Sequence, residues 1–304
     1  MKLAVEFPSV AFREGPAKVV EMAKAIEEIG YDELAVFDHV VMGYPTETRA
    51  APLYPPQMPI LEALVTLAFA AAVTDRVGLS TEVLVLPQRQ PVLVAKQVST
   101  LDGLSGGRVR LGVGVGWQEA EYEALGEDFG NRGTRMDEAI ELLRAYWRDE
   151  RIDVDSPHYR STAIAMEPKP PQGERLPIWV GGLSRAALRR TGRLGDGWMG
   201  SAGADDEKTM AAVGEIHRHA EEAGRDPASI GLQLMLAPPP RDAAGKTFYA
   251  EHDRVVRRAE TIRDLGFHWT AVNATAIFQA GARSVGAMVD ELAKLHGRLR
   301  DAIG

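Results

Sequence analysis

Residues 101–117 read LDGLSGGRVRLGVGVGW, and the run from Arg108 to Trp117 decides the fold. Val109, Leu111, Val113 and Val115 alternate with Arg110, Gly112, Gly114 and Gly116. A period of two places successive side chains on opposite faces of a β-strand. One face is therefore branched and apolar, and the other carries three glycines. Glycine weakens a strand interior, so a glycine face marks a place where another body comes close to the backbone. That body is either a flat ring or a tightly packed neighbour. A dinucleotide loop is the weaker reading, because Gly112-x-Gly114-x-Gly116 lacks the third glycine at the fingerprint spacing and runs into Trp-Gln-Glu-Ala-Glu.

Outward from this strand the chain alternates between two periods. Lys2 to Phe7 predicts a first strand, and Pro16 to Ile29 a helix opened by proline and closed by Gly30. Leu34 to Phe37 is a second strand, ending at Asp38-His39. The polar, proline-rich stretch from Gly43 to Pro59 is too long for a simple connection. A helix from Pro59 or Ile60 to Thr74, a strand from Val77 to Leu86 and a helix from Pro91 to Leu104 lead into the fourth strand, Val109 to Gly116. Beyond it come a helix from Gly133 to Trp147 and a surface excursion from Arg151 to Leu176. Four more strands follow, Pro177 to Val180, Gly197 to Met199, Ile230 to Leu236 and Trp269 to Asn273. Their helices are Ser184 to Leu194, Asp205 to Ala223, His252 to Leu265 and Ser284 to Leu299. Eightfold β-α alternation predicts a (β/α)8 TIM barrel, a single α/β domain over residues 1–304 with insertions at its C-terminal mouth. An open doubly wound sheet is the alternative.

The chain has 304 residues, 45% of them hydrophobic, enough for a large core. It has no cysteine, which excludes disulfides, thiolate metal sites and a cysteine nucleophile. No apolar run reaches the roughly 18 residues of a membrane helix. MKLAVEFPSV is too short for a signal core, so a cytoplasmic chain without a membrane partner is expected. A net charge of −8 argues against nucleic acid, while a small anionic ligand needs only a local site.

In such a barrel the chemistry sits at the C-terminal strand ends. Asp38-His39 is the best acid–base candidate there, because imidazole moves protons near neutral pH; a histidine capping loop backbone is the plain alternative. Val180-Gly181-Gly182-Leu183-Ser184 turns a strand into a helix. Its glycines let backbone N–H groups face an anion at the positive helix terminus, although Ser184 reads equally as an ordinary N-cap. His217-x-His219 points its rings to different faces of a helix and reads as surface. No metal site is expected, and no Gly-x-Ser-x-Gly elbow or P-loop is present.

The string Leu86-Pro87-Gln88-Arg89-Gln90-Pro91, Ala95-Lys96, Leu101-Asp102 and Leu104-Ser105-Gly106-Gly107-Arg108, running into GVGVGW, resembles the bacterial luciferase-like monooxygenase family. It looks most like the branch that uses coenzyme F420, a deazaflavin, rather than FMN. Asp38-His39, Gly126, Phe129, Arg132, Arg135 to Glu138, Pro168-Lys169-Pro170, PIWVGG, Ser184 and Leu194-Gly195-Asp196-Gly197-Trp198 continue the likeness to about Gly200. The resemblance implies a barrel with the cofactor ring at its mouth, and a non-proline cis peptide within Ser80-Thr81-Glu82-Val83 bulging against that ring. It implies cofactor contacts from Asp38, Thr81, Glu82, Gly116 and Trp117, phosphate binding by Gly181, Gly182 and Ser184, and proton transfer by His39. Glu82 is an unusual acid there, expected either to face the cofactor as a relay or to pair with a basic residue.

F420-dependent sugar-phosphate and alcohol dehydrogenases of this family carry a tryptophan soon after the histidine and a glutamate at the end of strand four. The equivalents here read as Gly43 and Trp117, so both partners are expected to be absent. The expected protein is an oxidoreductase passing a hydride between F420 and a small organic substrate, with a homodimer as its state. The Gly43 to Pro59 loop, with Tyr44 and Tyr54, and the Arg151 to Leu176 excursion are its expected lids. The alternatives are an FMN-dependent monooxygenase fed by a separate flavin reductase and oxygen, and a barrel that binds the cofactor without turnover.

Overall fold

The computed structural model describes residues 1–201, 205–237 and 247–304. Eight parallel strands form its centre: β1 (Lys2–Glu6), β2 (Glu33–Val36), β3 (Gly78–Thr81), β4 (Val109–Gly114), β5 (Ile178–Gly181), β6 (Gly197–Gly200), β7 (Gly231–Met235) and β8 (Trp269–Asn273). Each pairs with the next in sequence, and β1 pairs with β8 from Lys2 opposite Trp269 to Glu6 opposite Asn273, which closes the barrel. Around it lie α1 (Pro16–Ile29), α2 (Ala63–Ala71), α3 (Pro91–Ser105), α4 (Glu119–Leu125), α5 (Arg132–Arg148), α6 (Arg185–Leu194), α7 (Asp206–Glu222), α8 (His252–Asp264), α9 (Ala274–Ala280) and α10 (Val285–Ile303). The (β/α)8 barrel inferred from alternation is the observed fold.

The two faces of β4 divide the packing. Val109, Leu111 and Val113 join the apolar layer that also holds Val94 and Val98 of α3 and Ile140 and Leu143 of α5. Burial of each such side chain contributes about 1.5–3 kcal/mol. Arg110, on the other face, meets residues of four other strands, which is possible only inside the ring. Its guanidinium lies 4.2 Å from the Trp179 ring centre and 4.3 Å from that of Trp269. It pairs with Glu33 and donates to Gln233 Oε1 at 2.6 Å. Pairing and stacking are what make a buried charge tolerable.

Several boundaries differ from the expected ones for local reasons. The third strand is not continuous from Val77 to Leu86: it breaks at a cis peptide between Glu82 and Val83 and resumes as Leu84–Val85, paired with Val113 and Gly114. The fourth ends at Gly114, because Gly116 takes φ +68°, a left-handed conformation outside any strand. The second helix begins only at Ala63, where the Glu62 carboxylate caps the Val65 N–H at 2.7 Å. Helices α4 and α9, seven residues each, are too short to show a period of 3.6. The Arg151 to Leu176 excursion contains a hairpin, Ile152–Asp155 with Arg160–Ile164. Among the described residues no helix is long and apolar enough to cross a membrane.

Candidate active site

The glycine face of β4 is filled by the barrel itself. A Cβ on Gly112 would stand 2.0 Å from the Thr81 carbonyl oxygen and 2.5 Å from Met199 Sδ, and one on Gly114 would stand 2.6 Å from Val83 Cγ2. A Cβ on Gly116 would meet Val85 Cγ1 at 2.7 Å. Of the two bodies that the glycines could admit, the neighbouring strand is therefore the one observed. The glycines make room for the break in β3, and Thr81 ties it to β4 by donating from Oγ1 to the Gly112 carbonyl at 2.6 Å. The cis bond falls within the four residues where it was expected.

Beside this bulge, the segment after β2 buries Asp38 and His39. Asp38 is occupied on both oxygens: Oδ2 accepts from the Val85 N–H at 3.0 Å, and Oδ1 accepts from Arg89 Nη2 at 2.9 Å. Burial pushes its carboxyl up, against the pull of Arg89. It fastens the far side of the bulge to β2. His39 Nδ1 lies 3.1 Å from Glu121 Oε2, and Nε2 has no protein partner. Glu121, at 0% exposure, also accepts from the Val40 N–H at 2.6 Å and from Gln88 Nε2 at 3.3 Å. Burial alone would raise this carboxyl, but the hydrogen bonds from His39, Gln88 and Val40 outweigh it and hold it below its ordinary value. An ionised acceptor therefore keeps the proton on Nδ1 and turns the Nε2 lone pair outward.

The expected absence of both histidine partners is corrected by these contacts. The carboxylate comes from α4, four residues beyond Trp117, and not from the strand end. The indole comes from Trp117 itself, whose ring centre lies 5.2 Å from that of His39 at 75°. Position 43 could not have held it: a Cβ on Gly43 would meet Ala120 Cβ at 2.7 Å, and the Gly43 N–H is bound to Gln118 Oε1 at 2.6 Å. Tyr54 reaches the same cluster, 5.8 Å from His39 and 6.4 Å from Trp117 between ring centres. Ala51, Pro52, Leu53 and Trp117 line an open cavity of about 550 Å³ alongside. The Gly43 to Pro59 loop thus covers His39. The Arg151 to Leu176 excursion docks elsewhere, with Ser156 and His158 on Glu138 of α5 and Gln172 on Asp102 of α3.

Glu82 turns into the barrel. Its Oε1 accepts from Gln233 Nε2 at 2.7 Å, and its enclosed Oε2 has no partner. It makes no ion pair with a base among the described residues. Instead it faces a second acid, Glu6, which accepts from Asn273 Nδ2. Burial is the first cause that pushes Glu82 up to about 7 and Glu6 up to about 8, and the mutual repulsion adds to the latter. The sequence offered no reason to single out Glu6, because a carboxylate at a strand end reads as exposed.

Three strands round the barrel from His39, Gly181 ends β5, and Gly182, Leu183 and Ser184 lie exposed before α6. Gly182 takes φ +112°, and its carbonyl accepts from Trp198 Nε1 at 2.9 Å. Ser184 Oγ caps the Ala187 N–H at 3.2 Å, leaving earlier first-turn N–H groups without helical partners. Both readings of this turn, cap and anion seat, coexist.

The sequence model of the luciferase-like monooxygenase family matches residues 7–245. An uncharacterised protein of Mycobacterium tuberculosis is 37% identical over 214 residues, 68% of this chain and 72% of its own. An F420-dependent glucose-6-phosphate dehydrogenase of Nocardia farcinica is 33% identical over 243 residues, 77% of this chain and 68% of its own. Among solved structures, an F420-dependent secondary alcohol dehydrogenase bound to an F420–acetone adduct superposes with a TM-score of 0.78 at 18% identity, covering 99% of each chain. A monooxygenase from Streptomyces bottropensis gives 0.71 at 22% identity, over 97% of this chain and 99% of its own. At these identities the structural likeness is one of fold.

Proposed function

The chain belongs to the luciferase-like monooxygenase family, and from that premise we propose that it is an oxidoreductase moving a hydride between coenzyme F420 and a small organic substrate. The relatives named as F420-dependent dehydrogenases support the cofactor class. The residues fit such a group. The exposed turn at Gly182 to Ser184, backed by the free N–H groups of α6, suits a phosphate, and the aromatic walls of Trp117 and Tyr54 suit a flat ring. Bound F420 supplies hydride chemistry at one ring carbon.

The side chains supply the rest. His39 is the catalytic residue: its Nε2 accepts the proton of a substrate hydroxyl, or returns a proton to a carbonyl oxygen in the reverse direction. Glu121 is a positioning residue that fixes the Nδ1–H tautomer and stabilises the imidazolium. Trp117 and Tyr54 shield His39 from water. Asp38 and Thr81 hold the bulge in place, and Glu82 supports it from below. Gly181, Gly182 and Ser184 bind the phosphate, and Gly116 gives Trp117 its direction. The observation that carries the reading is His39 held at Nδ1 by a buried carboxylate with Nε2 free.

Fluorescence titration of the purified protein with F420 and with FMN tests the proposal. Tight F420 binding with weak FMN binding is the expected result, with turnover lost in His39→Ala. The reverse preference would make the FMN-dependent monooxygenase correct, and binding of neither would overturn both.

A further inference from the structure

The turn before α6 leads into a ladder of unpaired cations. Arg185, Arg189 and Arg193 recur every four residues, so they share one helix face that runs about 12 Å from the turn. All three are exposed and have no hydrogen bond or ion pair among the described residues. The helix has no acidic residue. Its fourth arginine behaves differently: Arg190 is buried and paired with Asp137. Exposed arginines elsewhere are matched, Arg148 with Asp149, Arg151 with Asp153, and Arg218 with Glu215 and Glu222.

Like charges four residues apart repel on a helix, and a chain of net charge −8 has acids to spare for pairing. Arg185 and Arg189 also line a groove of about 530 Å³ between α6 and α7, with Glu215, Arg218 and His219 on its other side. Glu215 is already engaged by Arg218 at 2.7 Å, so the groove keeps an excess of positive charge.

We propose that this ladder is a track for a flexible polyanion leaving the phosphate turn, and that its ligand is the oligoglutamate tail that F420 carries beyond its phosphate. The inference rests on the F420 reading. The tail repeats carboxylates along an extended chain, and guanidinium groups bind carboxylates with a planar fork. Exposed pairs are individually weak and screened by salt, so the track adds affinity by number. FMN ends at its phosphate and has nothing to place there.

The test is a fluorescence titration at low and at high salt. The probes are F420 with several glutamates and F420 trimmed back to its lactyl phosphate. Wild type is compared with Arg185→Glu/Arg189→Glu and with Arg185→Lys/Arg189→Lys, circular dichroism confirming folding. Wild type should bind the long-tailed form roughly ten-fold more tightly at low salt, with the preference vanishing at high salt. The glutamate variant should lose that preference while binding the trimmed form as wild type does, and the lysine variant should keep most of it. Equal affinity of wild type for the two forms at low salt would overturn the track and leave F420 binding intact. So would a preference that survives charge reversal, or a loss of trimmed-cofactor binding in the glutamate variant. If neither form binds wild type, the F420 reading falls and the track with it.

Discussion

Replacing Glu82 by glutamine keeps the acceptor that Gln233 uses and removes only the charge. In the native barrel that charge faces Glu6, and its Oε2 is enclosed without a partner. Burial raises Glu82 from the ordinary 4.5 to about 7. A carboxyl that holds its proton more tightly folded than unfolded makes folding take up a proton between pH 4.5 and about 7. Stability therefore falls as pH rises through that window. At about 1.4 kcal/mol per pH unit, the full penalty above about pH 7 is on the order of 3 kcal/mol. Glu6, raised to about 8, extends the fall upward. A chain of 304 residues unfolds with about 0.6 kcal/mol per kelvin of entropy, so the penalty corresponds to about 5 °C. Glu82 is half-buried rather than sealed, and screening reduces the expected gain to about 3 °C. Calorimetric Tm values measured from about pH 5 to 8.5 at fixed ionic strength should show glutamine and wild type together at the acid end. At about pH 8 the variant should be the more stable by that amount. Parallel curves, or a wild type more stable at alkaline pH, would refute the reasoning, because Glu82 would then ionise without cost.

Glu121→Gln should lower kcat by about 100-fold or more and change the pH–rate profile, while the Kd for F420 stays within about two-fold, because it removes the tautomer-fixing charge and not a cofactor contact. Gly114→Ala should cost about 1–3 kcal/mol by forcing Val83 away; lower Tm together with weaker F420 binding would show that the bulge moved. Gly43→Trp should fail to restore the tryptophan of the related dehydrogenases and should destabilise the chain, since its Cβ would already overlap Ala120. Val65 and Phe69 on α2 and Val92 and Leu93 on α3 are exposed; light scattering should give a homodimer that Phe69→Glu dissociates.

The barrel was readable because its signals are local. Pro16 and Gly30 bracket α1 as their backbone preferences dictate, and the alternation in Val109 to Gly114 is the strand itself. His39 could be found for the same reason, lying directly after a strand whose end must face the mouth. Glu121 could not, because what matters about it is not local. EAEYEAL has the composition of a solvated helix, and nothing in it tells a carboxylate at 0% exposure from its neighbours Glu119 and Glu123. The signal available was chemical rather than positional: a histidine acting through Nε2 needs an acceptor at Nδ1, and the search had to extend past the strand end. Gly43, Trp117 and Glu121 then become one structural change. The segment after β4 packs so closely on position 43, through Ala120 and Gln118, that only glycine fits there. The same segment carries an indole and a carboxylate to the two sides of His39. Position-by-position comparison counts two losses, whereas the geometry around the imidazole shows the same two groups arriving from another loop.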